Sequence, residues 1–250
     1  MFARLYHAHY QIYTEDFPFW LELGGADACL LELGCGTGRV AIPLAEAGRS
    51  VWGVDRDLAM LNVAVSERDR LPPDVRDRLH FWQADMRDLN LGKVFDLIIL
   101  PCNTYSTLEK EEREKVLTRS SVHLNAGGVF AVGMPNPIAL QAYLGTGEGI
   151  SREEGNFRHP QTGNPVQVSA RVEGLESSVI WTWHYDHLLP DGRVERLTRS
   201  TRHEYQSAEA YREELERHGF QVQGMFGGYD RRAFTPESPY LILVAGKKVE

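Results

Sequence analysis

Cysteine is scarce in this chain of 250 residues: there are only Cys29, Cys35 and Cys102. An odd number with no Cys-x-x-Cys pair gives neither a disulfide framework nor a zinc knuckle, and it suits a reducing compartment. An excess of basic residues is also missing. The formal net charge is −8, which opposes tight, sequence-independent binding to nucleic acid phosphates. No long apolar run is present. The strongest, FDLIILP at 95–101, is far too short to span a bilayer, and MFARLYHAHY at the start lacks the apolar stretch of a signal peptide. Internal repeats and low-complexity tracts are absent as well. These absences lead us to expect a cytosolic (cytoplasmic) protein with no membrane partner and no metal site.

What is present is an ordinary globular composition, 42% hydrophobic and 25% charged, long enough for one large domain or a domain with an insertion. The first segment is aromatic, with Tyr6, Tyr10, Tyr13, Phe17, Phe19 and Trp20 interrupted by Pro18, and reads as two short helices. A regular alternation follows: strands at 28–33, 50–55, 78–85, 94–101 and 127–134, with helices at 39–48, 58–68 and 109–124. Apolar strands alternating with helices imply a parallel sheet covered on both faces, its carboxyl ends gathered on one edge. After Pro137 the pattern breaks. Residues 145–164 carry a loop composition, and three strand-like stretches follow at 165–173, 177–189 and 193–206, the last two joined by an Asp191-Gly192 turn. A helix capped by Ser207 and closed by Gly219, then two last strands, resume the first pattern. The expected architecture is α/β: a doubly wound, seven-stranded, mostly parallel, Rossmann-like sheet formed by 1–144 and 205–250. An antiparallel β lid is inserted at 145–204.

The chemistry-bearing stretch is LELGCGTGR at 31–39. A strand that ends in Gly34, Gly36 and Gly38 and runs into a helix brings backbone close to a ligand. A dinucleotide fingerprint wants glycine where Arg39 stands, and Glu32 two residues before the loop suits a cationic ligand better than a pyrophosphate. Together with VDRDLAM, QADMRDL, FDLIILPCNTY and AGGVFAV over residues 28–135, the chain resembles the class I S-adenosylmethionine-dependent methyltransferases.

That resemblance implies S-adenosylmethionine as cofactor and gives jobs to particular residues. Gly34, Gly36 and Gly38 would admit the cofactor, and Glu32 would face its ammonium directly or through water. Asp55 would accept the ribose hydroxyls; its alternative is a helix cap. Arg56 and Met60 would flank the adenine, Met60 serving alternatively as core. Asp85 and the Met86 amide would read the adenine edge, or Asp85 would cap a turn. Leu100 and Pro101 would offer a carbonyl to the ammonium. Tyr13 of the amino-terminal segment is the best match for a tyrosine that touches the cofactor.

Methyl transfer needs no acid and needs a base only for a protonated nucleophile, so no catalytic constellation is required. Tyr13, Asn103, Tyr105 and His184 are the candidates to approach the reacting atoms. Trp181, Trp183, Tyr185 and His187 are placed on one face of the lid, His184 and Asp186 on the other. The resemblance extends to small-molecule methyltransferases with a lid. A small-molecule acceptor at N or O, no nucleic acid partner, and a monomer or homodimer are therefore expected; the alternative is a cofactor-binding sensor without turnover.

Overall fold

The computed structural model describes residues 1–25, 27–142 and 149–248. Strands β1 (Cys29–Leu33), β2 (Ser50–Asp55), β3 (Leu79–Gln83), β4 (Phe95–Leu100), β5 (Leu124–Pro135), β10 (Phe220–Phe226) and β11 (Tyr240–Lys247) form a seven-stranded sheet. Its order is β10-β11-β5-β4-β1-β2-β3. The pairs among β1 to β5 are parallel, and only β11 runs against its two neighbours. Strand order reverses between β1 and β4, so a crevice opens there at the carboxyl edge, the usual ligand position of such sheets.

Helices α1 (Phe2–Tyr10), α2 (Phe17–Leu21), α3 (Ala41–Glu46), α4 (Leu58–Arg68), α5 (Pro73–Arg76), α6 (Lys110–His123), α7 (Pro137–Gln141) and α8 (Ala208–Arg217) complete the layers. Two apolar cores result, one on each sheet face. One joins Leu31, Leu33, Phe130 and Tyr211; the other joins Trp20, Leu30, Val51 and Ile99. The chain alternates between them because successive strand residues point to opposite faces. None of the described helices is long and apolar enough to cross a membrane.

The inserted sheet consists of β6 (Gly149–Arg158), β7 (Pro165–Gly174), β8 (Ser178–Leu188) and β9 (Val194–Glu204), all antiparallel. The Asp191-Gly192 turn sets its register, with Gly192 in the left-handed region at φ +85°. Trp181 faces Thr201, Trp183 faces Arg199 and Tyr185 faces Leu197 on the inner side. The outer side is a polar ladder: Thr182 with Ser200 at 2.9 Å, His184 with Thr198 at 2.9 Å, and Asp186 with Arg196 at 2.6 Å.

One expectation fails within this sheet. Much of the stretch read as loop at 145–164 is strand β6, so the lid has four strands rather than three. β6 is an edge strand with a bulge between Glu153 and Gly155. Its charges sit where an edge meets water, which hides the alternation that marks an inner strand. The lid boundary set at 144/145 lies outside the described residues.

A buried ion pair anchors the helical layer. Arg113 of α6 donates through Nε and Nη2 to Glu214 of α8 at 2.8 and 3.1 Å, with side-chain exposures of 3% and 0%. The Tyr105 hydroxyl donates to the same carboxylate at 2.6 Å, and Arg113 Nη1 donates to the Leu108 carbonyl at 2.7 Å. Removal of one partner strands the other charge in the core. Glu214→Ala should therefore lower the unfolding free energy by about 3–5 kcal/mol in urea titration, whereas Asp74→Ala, which breaks an exposed pair with Arg78, should change it by less than about 1 kcal/mol.

Candidate active site

β1 ends in a tight loop built on left-handed backbone: Gly34, Gly36 and Gly38 have φ of +74°, +55° and +81°. Gly38 is also confined, since a Cβ there would lie 3.1 Å from Ile42 and 3.2 Å from Phe81. At Gly36 an added Cβ would meet nothing within 4 Å, so the loop leaves an open cradle. Asp55 closes β2 beside it. Its Oδ2 accepts the Gly36 N–H at 2.8 Å and its Oδ1 accepts the Asp57 N–H at 2.8 Å. The cap of α4 falls instead to Asp57, which accepts from the Ala59 and Met60 amides.

Arg39 follows the loop and is buried against Asp16 in a two-pronged pair, Nη1 to Oδ1 at 2.8 Å and Nη2 to Oδ2 at 2.7 Å. It also donates to the Tyr13 carbonyl at 2.8 Å and to Cys102 Sγ at 2.7 Å. Trp20 Nε1 donates to Asp16 at 3.0 Å. The guanidinium thus ties three segments together: the amino-terminal arm, the glycine loop and the end of β4. Beyond β4, Cys102 and Asn103 are both left-handed, at φ +60° and +63°, a conformation that costs about 1–2 kcal/mol for a residue with a Cβ. They turn the chain into a short 3-10 turn over Thr104–Thr107.

Two clefts flank that turn. The smaller, about 170 Å³, is lined by Gly34, Asp55, Arg56, Ala84, Asp85, Met86 and Arg87. The larger, about 510 Å³, lies under the lid and against α1, walled by Tyr6, Tyr10, Tyr13, Trp181, Trp183 and Tyr185. Thr104 and Thr107 line both. A ligand in the first therefore abuts the second.

The structure distributes the residues singled out in the sequence unevenly. Asp85 lines the smaller cleft and also caps the following turn. It accepts the Arg87 amide at 2.9 Å and pairs with the Arg87 side chain, which holds its carboxyl down at about 2. Tyr13 and Asn103 line the larger cavity. Met60 and Leu100 line neither cleft. The Pro101 carbonyl accepts from the Thr104 hydroxyl at 3.1 Å.

Two candidates for the reacting centre are corrected. Tyr105 is fully buried with its hydroxyl on Glu214, because the 3-10 turn rotates it towards α8. His184 stands on the outer face of the lid, on Thr198. His187 shares the inner-face parity of Trp181, but it stacks on His159 with ring centroids 4.1 Å apart, away from the cavity.

Sequence reasoning missed Tyr6, His9, Glu154 and His203, all of which line the cavity. Tyr6, Tyr10 and Tyr13 recur at three- and four-residue spacing, a helical signal that could have found the first. His203 was reachable by counting outward from the Asp191-Gly192 turn, which places it opposite Val179 on the face of Trp181.

Glu32 lines neither cleft. It is buried behind the loop, accepting from the Ala41 amide, with Oε2 unpartnered; burial raises its carboxyl to about 8 despite the nearby Arg39. A carboxyl raised from 4.5 to about 8 on folding binds more protons in the native state. Stability should therefore fall as pH rises from about 5 to about 8. In Glu32→Gln that contribution disappears, so denaturant midpoints should fall less between pH 5 and 8 than in the native protein.

Residues 30–128 match the family model described as a methyltransferase domain. The cypemycin N-terminal methyltransferase of Streptomyces sp is 32% identical over 130 residues, covering 52% of this chain and 51% of that protein. The magnesium-protoporphyrin O-methyltransferase of Rhodobacter capsulatus is 30% identical over 119 residues, 48% of this chain and 50% of that protein. The chain thus spans about half the length of the curated relatives it matches. Over nearly the whole chain the fold is that of a S-adenosylmethionine-dependent methyltransferase from Clostridium acetobutylicum, with a TM-score of 0.77 at 18% identity, covering 99% of this chain and 98% of that one. The glycine loop, the acidic end of β2 and the switch in strand order between β1 and β4 all lie within the residues that match the methyltransferase domain.

Proposed function

We propose that the chain transfers a methyl group from S-adenosylmethionine to a nitrogen or oxygen of a small acceptor. The observation that carries this reading is the shared wall at Thr104 and Thr107 between the narrow cleft at Asp55 and the aromatic cavity under the lid. One cleft suits an adenosine and the other an acceptor, and the wall between them is where a transferred group would pass.

The residues present fit the cofactor. Gly36 leaves an open cradle, and the Asp55 carboxylate beside it retains lone pairs for the two hydroxyls of a ribose. Arg56, Met86 and the Asp85–Arg87 pair line the same cleft. When bound, S-adenosylmethionine supplies a methyl carbon already activated by a sulfonium.

The protein's own contribution is alignment and exclusion of water, effects worth effective molarities of roughly 10⁵ M or more. Tyr6, Tyr10 and Tyr13 from α1 and the turn after it form one side of the enclosure, and Trp181, Trp183 and Tyr185 from the lid form the other. Burial raises the Tyr6 and Tyr10 hydroxyls well above the usual phenol range, so they serve as neutral donors and ring faces rather than as bases. Aromatic faces attract a cationic methyl donor by about 0.5–2 kcal/mol each. The named relatives include an N-terminal methyltransferase and an O-methyltransferase, and the proposal spans nitrogen and oxygen nucleophiles.

Titration calorimetry with S-adenosylmethionine tests the reading: saturable binding with a dissociation constant of about 1 μM to 1 mM is expected, and absence of binding would end it. Asp55→Ala should weaken that binding by about 1–3 kcal/mol, roughly 5- to 150-fold. Gly36→Val should abolish it, because a branched side chain at φ +55° strains the loop and fills the cradle.

A further inference from the structure

Three side chains that line the cavity carry a buried polar atom with no partner among the described residues: His9 Nε2, Trp181 Nε1 and His203 Nε2, the last two on adjoining rings. His203, 3% exposed, engages only through Nδ1, which lies 2.9 Å from Ser106 Oγ; its Nε2 is buried and unpartnered. The indole Nε1 of Trp181 is likewise buried without a partner. The two rings sit on neighbouring strands of the lid, centroids 5.4 Å apart and nearly perpendicular at 77°. Both line the cavity.

The Ser106 hydroxyl is placed to donate to the Asn103 carbonyl at 2.9 Å; with its proton there it accepts from His203, whose Nδ1 then carries the imidazole proton. Nε2 is then a lone pair. Burial lowers the proton affinity of this imidazole to about 4, which keeps it neutral. An indole N–H donates only. An acceptor and a donor are therefore carried on adjoining rings, each unmatched, and a buried polar group without a partner is destabilising until it is satisfied.

Building on the reading of this cavity as the acceptor site, we infer that Trp181 and His203 form a specificity site that binds a hydroxyl group of the methyl acceptor. Trp181 Nε1–H donates to the hydroxyl oxygen, and the hydroxyl O–H donates to His203 Nε2. A hydroxyl is the smallest group with both functions on one atom. An ammonium has no lone pair for the indole, and a carboxylate has no proton for the imidazole. The Arg152 guanidinium, 5.5 Å from the Trp181 ring centroid, already occupies one face of that ring and disfavours a second cation. Ser106 acts as a positioning residue: it lies in the same turn as Thr104, which separates the clefts, and so sets the tautomer next to the point of transfer. A site built to bond a hydroxyl rejects analogues that lack it far more strongly than a merely apolar pocket does.

Three probes of one shape and different head groups test this on the whole protein: cyclohexanol, cyclohexylammonium and cyclohexanecarboxylate. Nitrogen NMR reads the Trp181 indole and the His203 ring, assigned by loss of their signals in Trp181→Phe and His203→Phe. We expect cyclohexanol to shift both resonances saturably, moving the indole N–H downfield, with His203 as the Nδ1–H tautomer. The affinity should fall at least tenfold in His203→Phe and hold within threefold in His203→Gln, which keeps a carbonyl acceptor. The inference is overturned if cyclohexanol shifts neither resonance, if either charged probe shifts them with equal or higher affinity, or if Nε2 carries the proton. If a variant fails to fold, the shifts in the native protein decide. The probes need no cofactor, so a protein that ignores S-adenosylmethionine defeats the proposed function alone, and unmoved resonances defeat this inference alone.

Discussion

The contact between Asp16 and Arg39 holds the site together. Withdrawing two charges from water is costly, and the pair is sustained only because its remaining hydrogen-bonding capacity is filled by Trp20, the Tyr13 carbonyl and Cys102. Its geometric effect exceeds its net energy. It clamps the segment after α1, which lies outside the strand ladder, onto the glycine loop and the left-handed end of β4, whose strands pair directly. The placement of Tyr6, Tyr10 and Tyr13 over the crevice follows from that clamp.

The sheet then does the rest with little specialised chemistry. Parallel strands end together, and β1, β2 and β4 each deliver one element to the same edge: a loop of open backbone, a carboxylate, and a strained turn. The turn is supported from beneath by the Tyr105–Glu214–Arg113 network, which explains why a tyrosine so near the crevice faces away from it. Tyr105 holds the wall and does not line it.

Most of the core sheet was legible in the sequence because its strands are short apolar runs bounded by glycines and its helices stop at recognisable caps. Gly34, Asp55 and Asp85 of the narrow cleft were legible for the same reason, since strand ends fall at readable positions. The errors share a different origin. β6 carries ISREEGNFR, in which an edge strand's charges mask its alternation, and His184 was weighed by its chemistry rather than by its parity along β8. Glu154 reaches the cavity only through the pairing of β6 with β7, a registration that no local window encodes, whereas His203 needed only the count outward from the Asp191-Gly192 turn. Glu32 shows the reverse case: an acid next to a ligand loop that packing buries behind it.

The lid also has two open borders. β6 and β9 each have a neighbour on one side only, and an unpaired border is a template for another chain. Here β9 exposes Glu195, Arg196, Arg199 and Arg202, while β6 presents Arg152 and Glu153 and is kinked by its bulge. A second molecule approaching edge to edge would have to desolvate this mixed fringe of ions before gaining a single ladder bond. The same residues that obscured β6 in the sequence therefore guard the roof against polymerising.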